Sequence, residues 1–212
     1  MARTKERRKI VHQPSTHEIF LCLSNMQGYS KILLGQNSQK QYVDFLRWIL
    51  DKKFYAERTD KITVKKIAID FKSDAVKVTR WLKEIYEAIL DLNYERPDLF
   101  QGVGIKACLY FKNYDNNCSF YTSLPAVPRE FESFRSPFVK GKLGIDWFWV
   151  KNVEHEISED DIMISLWLHA GAPNKYREFS LDEAVFKGEI GQFEVYDKYP
   201  FEIDDQLKKL KY

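Results

Sequence analysis

The chain has 212 residues, 44% of them hydrophobic and 30% charged, with a net charge of +2; that is the composition of a folded protein and excludes a disordered or collagen-like chain. No stretch approaches the roughly 18 consecutive apolar residues that a membrane helix needs, and the N-terminus has no apolar signal core, so a soluble, cytoplasmic protein with no membrane partner is expected. Cys22, Cys108 and Cys118 form no CxxC pair and are odd in number, which indicates neither a disulfide framework nor a zinc site.

The near-neutral total hides an asymmetry. Before residue 94 there are 18 Lys and Arg against 11 Asp and Glu; from residue 94 onward there are 15 against 20. The basic half opens with residues 1–18, where Arg3, Lys5, Arg7, Arg8 and Lys9 face the single early acid Glu6. This reads as a flexible basic arm, either a segment that orders along a polyanion or a solvated tail. From Ile19 to Leu34 two apolar clusters flank Gln27-Gly28, a pattern that leaves a short helix and a pair of strands both open. Gln39 to Phe54 is clearer, because Tyr42, Val43, Phe45, Leu46, Ile49 and Leu50 form one helical stripe.

The next stretch, Val64 to Tyr86, carries two helical faces: Ile67, Ala68 and Phe71, then Val78, Trp81, Leu82 and Ile85. Thr63 stands in N-cap position before the first helix, and Ser73 or Asp74 before the second. Small Ala68, apolar Phe71 and Val78, and the run Arg80-Trp81-Leu82 have the spacing at which two helices cross closely around a tight turn. Over residues 64–86 the sequence resembles the helix-turn-helix superfamily of DNA-binding proteins, which includes the winged-helix proteins. It departs from that pattern at the turn position where glycine is common, which is Lys72 here.

The second helix of the pair is predicted from Ala75 to about Leu92, with Ile85, Ala88, Ile89 and Leu92 continuing its buried stripe toward a second domain. Asn93 to Asp98, with Pro97, ends it and marks the predicted boundary. Beyond it the period changes from 3.6 to 2. Val103 to Tyr114 and Cys118 to Leu124 read as a hairpin turning at Asp115-Asn116-Asn117, which is either a wing or part of the second domain. Pro125 to Lys142 reads as a proline-broken connection anchored by Phe131, Phe134 and Phe138. Ile145 to Ile157 and Ile162 to His169 form a second predicted hairpin, Tyr176 to Phe179 a further strand, and Ser180 to Lys187 a short helix with capping-box spacing. The tail from Glu189 onward reads as surface. The expected architecture is thus α+β: an arm over 1–18, a helical domain over 19–97 with the helix-turn-helix and with or without a wing, and a β-rich, mostly antiparallel domain over 98–212.

Residues suited to chemistry are sparse. His12, His17, His155 and His169 have no metal-ligand spacing, and no phosphate-binding glycine motif occurs, so neither cofactor nor metal is expected. The best catalytic lead is the acidic group Asp146, Glu154, Glu156, Glu159, Asp160 and Asp161, because a two-metal nuclease needs converging carboxylates.

The leading expectation is therefore not an enzyme but a sequence-specific binder of double-stranded DNA, a transcriptional regulator or mobile-element control protein. The resemblance implies that Ala75, Val76, Thr79 and Arg80 meet base edges, and that Lys65, Lys66, Lys72, Lys77, Lys83 and the arm residues Arg3, Arg7 and Arg8 hold phosphates. One such helix reads few base pairs, so a homodimer is expected, with the second domain serving dimerisation or a protein or small-molecule effector. The alternative is a protein-interaction module using Trp147, Phe148, Trp149, Phe120 and Tyr121 as anchors.

Overall fold

The computed structural model describes residues 9–37, 39–52, 63–159 and 162–210. Among them 49% are helical and 22% lie in strands, a mixed α+β fold with one curled five-stranded sheet.

The stretch that could be helix or strand pair is helical: α1 (Thr16–Ser24) and α2 (Gln27–Gln36). The break falls at Asn25-Met26, where the Asn25 side chain donates to Leu21 O at 2.8 Å and closes α1. Helix α3 (Val43–Asp51) follows from the apolar stripe as expected and buries Val43, Phe45, Leu46 and Ile49.

Helices α4 (Val64–Asp70) and α5 (Ala75–Glu95) begin at the predicted caps. Thr63 Oγ1 accepts from Lys66 N at 3.2 Å and Asp74 Oδ1 from Lys77 N at 2.7 Å, each satisfying a first-turn donor that the helix itself cannot. Between them, Lys72 N donates to Ile69 O at 3.0 Å and Ser73 N to Ala68 O at 2.9 Å, with Lys72 in the left-handed region at φ 57°. That is a Schellman closure, with a lysine where glycine is usual. Ile67, Ala68, Val78, Leu82 and Ile85 are all buried beneath this turn. An aromatic cluster seals the α3, α4 and α5 junction: Phe45 lies 5.2 Å from Phe71 and 5.4 Å from Trp81, and Trp48 lies 5.2 Å from Phe71.

Both predicted hairpins form. Strands β1 (Ile105–Asn113) and β2 (Asn116–Leu124) turn at Tyr114-Asp115, slightly earlier than expected, with Tyr114 at φ 52°. Strands β3 (Ser133–Arg135), β4 (Trp147–Ile157) and β5 (Ile162–Ala170) complete a sheet of order β2-β1-β5-β4-β3. All pairs are antiparallel except β1 with β5. The first hairpin is thus built into the sheet, β1 being an interior strand. Leu109, Phe111, Phe120, Phe148, Val150, Leu166 and Leu168 are buried on the face that meets the helices, and Phe138 in the proline-broken connection packs 4.6 Å from Phe120.

The buried cluster runs without interruption from Ile19 in α1 to Leu168 in β5, across the boundary expected at residue 97. The join is specific. The wholly buried Asn93 of α5 donates to Tyr121 O and accepts from Tyr121 N, both at 2.8 Å, so the helix side chain takes the place of one more strand residue at the β2 edge. Tyr86 donates to Phe138 O at 2.9 Å, and helix α6 (Lys140–Leu143) approaches so closely that a Cβ on Gly141 would stand 3.1 Å from the Tyr86 ring.

The β-rich expectation for residues 98–212 needs correcting, because the chain returns to helix after β5. Tyr176 to Phe179, expected as a strand on aromatic content, is instead the first turn of α7 (Lys175–Phe186), since Asn174 caps it by accepting from Arg177 N at 3.1 Å. Ser180, expected to cap a helix, lies inside this one. The tail from Glu189, expected as surface, folds into α8 (Glu194–Asp197) and α9 (Pro200–Leu210), and Ile203 and Leu207 are buried with Leu181 and Ala184 in a second small core.

Replacing Asn93 with Ala leaves the Tyr121 amide and carbonyl buried without their partners. The expected cost is about 2–4 kcal/mol, read as a lower urea midpoint at unchanged slope.

Candidate nucleic-acid interface

Because α5 buries Val78, Leu82, Ile85, Tyr86 and Ile89 on one side, the helical period turns Val76, Arg80, Lys83, Glu84, Glu87 and Asp91 outward. Val76 is 79% exposed and so available for contact. Ala75 and Lys77 are exposed beside it, and Thr79 is half-buried. These positions and Arg80 and Lys83 fall on the first three turns of the helix, a strip about 12 Å long at 1.5 Å per residue.

Lys65 and Lys66 on α4 and Lys72 in the turn are exposed and flank this strip. Among the described residues the side chains of Lys65, Lys66, Lys72 and Lys83 have neither a hydrogen bond nor an ion pair. Lys77 lies 3.8 Å from the capping Asp74. Arg80 is engaged: its Nε lies 3.4 Å from Glu84, and its terminal nitrogen donates to Gln41 Oε1 at 3.4 Å. Glu84 and Gln41 were missed as parts of this surface. The i, i+4 spacing of Arg80 and Glu84 was a readable signal; the approach of Gln41, which precedes α3, was not.

From Glu84 onward the exposed side of α5 changes sign, with Glu84, Glu87, Asp91 and Glu95 all exposed. Glu87 is held by Lys142 of α6 at 2.9 Å. Any polyanion meeting α5 is therefore confined to its first three turns, since further along it would face carboxylates.

Arg3, Arg7 and Arg8 lie outside the described residues. The end of the predicted arm is fixed rather than free: Ile10 N donates to Asp115 Oδ2 at 2.7 Å, His12 N to Asn116 Oδ1 at 3.0 Å, and Asn116 Nδ2 to Ile10 O at 3.0 Å. Residues 16–18 already belong to α1. Ile10 and His12 are thus tied to the tip of the first hairpin.

The competing arrangements are less well formed. Phe120 and Phe148 are wholly buried in the core, and Trp149, 6% exposed, is covered on the other face of the sheet by Phe131; only Trp147, at 42%, is well exposed, with Tyr121 half-buried. Glu154 and Glu156 lie exposed on β4, Asp146 faces Arg135 at 3.7 Å, and Asp160 and Asp161 lie outside the described residues. Among the described residues no three His, Cys, Asp or Glu side chains converge to hold a metal, and no helix is long and apolar enough to cross a membrane. The cysteines are free. Burial pushes the Cys22 thiol up to about 11 and that of Cys118 up to about 12, so both stay protonated and unreactive at neutral pH.

No protein-family model matches the chain, and comparison with curated proteins and with solved structures finds no match either.

The left-handed lysine in the turn has a measurable consequence. Lys72→Gly removes the steric cost of an L-residue at this φ, about 1–2 kcal/mol, against an entropic cost of about 0.5–1 kcal/mol in the unfolded chain. A small net stabilisation is expected in thermal melts, whereas Lys72→Val, β-branched at positive φ, should lower the melting temperature.

Proposed function

We propose that this chain is a sequence-specific double-stranded DNA-binding protein of helix-turn-helix type, acting as a transcriptional regulator or mobile-element control protein. The observation that carries the reading is the α4–α5 pair: a Schellman turn at Lys72 projects the start of α5, with Val76, Arg80 and Lys83 outward and uncovered lysines on either side. In this reading the first turns of α5 enter the major groove. Arg80 exchanges Glu84 and Gln41 for the O6 and N7 of a guanine, Thr79 serves a base edge or phosphate, and Val76 or Ala75 meets a thymine methyl. Lys65, Lys66, Lys72, Lys77 and Lys83 bind phosphates on both sides of the groove, and Arg3, Arg7 and Arg8 follow the backbone or the minor groove. The acidic far half of α5 stays outside the contact. A strip this short reads only a few base pairs, so the protein acts as a homodimer on paired half-sites.

The test is DNA binding by the purified chain against a random-sequence duplex pool at low salt, followed by variants on the selected site. Arg80→Ala should cost about 1–3 kcal/mol and relax preference at one base pair, while Lys66→Ala should weaken all sequences alike and reduce the salt slope by about 1. Glu84→Gln, which frees Arg80 and removes a carboxylate near phosphate, should tighten binding. Absence of binding at low salt, or an Arg80→Ala variant indistinguishable from the parent, refutes the proposal.

A further inference from the structure

A second site lies on the opposite side of the sheet from the buried core. The C-terminal helices α7 to α9 cover one end of that face and leave a cavity of about 570 Å³ between themselves, the β1–β2 turn and the ends of β4 and β5. This volume is within the range of small-molecule sites. We propose that the cavity binds a small organic anion, with a phosphate or carboxylate head held by Lys112, Lys151 and His169 and an apolar body lying against the C-terminal helices.

The three groups for the head are brought there by the sheet. Lys112 and His169 are direct neighbours in the parallel β1–β5 ladder, so their side chains leave the same face of strands about 4.8 Å apart. Lys151 arrives from β4, where a register shift between Val150 and Asn152 makes it the bulged residue, a device that re-aims a side chain. All three line the cavity.

Their hydrogen-bonding capacity is largely unspent. Among the described residues neither the Lys112 ammonium nor the His169 ring has a hydrogen-bond or ion-pair partner, and Lys151 has one, Glu178 Oε2 at 3.0 Å. Arg177, the cation on the α7 wall, is by contrast engaged through all three of its nitrogens. Its guanidinium donates to Asp204 at 2.5 Å, Glu178 at 2.7 Å and Pro200 O at 3.3 Å, which fixes α7 to α9 and makes it part of the frame. Tyr199 on the same wall donates to Asp115 of the hairpin turn and so closes the cavity's far side. Leu181, Val195 and Ile203 supply the apolar wall.

The charged residues lining the cavity are mostly cationic, Lys112, Lys151, Arg177 and Lys198 against Asp115. Burial lowers the His169 pKa first, followed by the charges of Lys151 and Lys112; Glu178 opposes them and Arg177 adds to them, and together they bring it to about 4. These are the charged groups that β1, β4 and α7 turn toward the ring. An anion seated among them offsets part of their positive charge, so the imidazole gains affinity for its proton when the cavity fills.

This inference does not depend on DNA binding. The test uses the full chain with phenyl phosphate and benzoate as probes and phenol as the neutral control, followed by calorimetry and by the His169 ring signals in NMR titrations. At least one anion should bind with a Kd of about 1 mM or tighter while phenol does not. Lys112→Ala, at an exposed strand end, should keep the parent melting temperature and weaken that binding at least about tenfold. The His169 titration midpoint should rise in the saturated complex. Binding of phenyl phosphate alone identifies a phosphate head, and binding of benzoate alone a carboxylate. If neither anion binds at millimolar concentration, if phenol binds as well as they do, or if Lys112→Ala and the His169 midpoint show no change, the site is not an anion site.

Discussion

Helix α5 can lie in only one orientation, and the rest of the fold is arranged around that constraint. Val78, Leu82, Ile85 and Ile89 are all wholly buried along it, each contributing at most about 1.5–3 kcal/mol by removal from water. Together they rival the entire net stability of about 5–15 kcal/mol that a domain has to spare. Slipping the helix by one residue rotates it by 100° and exposes the whole stripe. Its ends are fixed as well: Asp74 caps the start, and Asn93 bonds to both backbone groups of Tyr121 near the other end. The helix is therefore a rigid rod that joins the helical layer to the sheet within one continuous core.

With one side of α5 committed to burial, the other side necessarily carries whatever charge the chain has at the remaining positions. That charge is segregated. The first turns bear Lys77, Arg80 and Lys83, and the later turns Glu84, Glu87, Asp91 and Glu95. The bond from Lys142 to Glu87 turns the acidic half toward the protein's own α6, while the basic half stands next to the uncovered lysines of α4 and the turn. Burial on one face and charge polarity along the other together define the proposed DNA-facing strip and bound its length.

Much of this region was legible because its signals are local. Thr63 and Asp74 were readable as caps, and the four hydrogen bonds that start α4 and α5 and close α4 span only a few residues each. Lys72 was readable as the residue forced into the left-handed region, and it sits at φ 57°. The C-terminal helices were missed for equally physical reasons. Tyr176 and Phe179 weigh toward strand by intrinsic preference, and in α7 the Asn174 cap outweighs them. The Ile203 and Leu207 pair had the i, i+4 spacing of a buried helix face, but the surrounding charge of Asp204, Asp205, Lys208 and Lys209 masked it.

By itself, then, the sequence determined the starts of α4 and α5, the tight turn, the two hairpins and the outward side of α5, since these follow from hydrogen bonds and periodicities confined to neighbouring residues. Only the tertiary structure decided the strand order, the parallel pairing that sets Lys112 beside His169, the hold of Gln41 on Arg80, and the cavity beneath α7 to α9. Each of these joins residues far apart in the chain. Such contacts are selected by burial of the core as a whole, which leaves no local pattern from which a single pairing could be read.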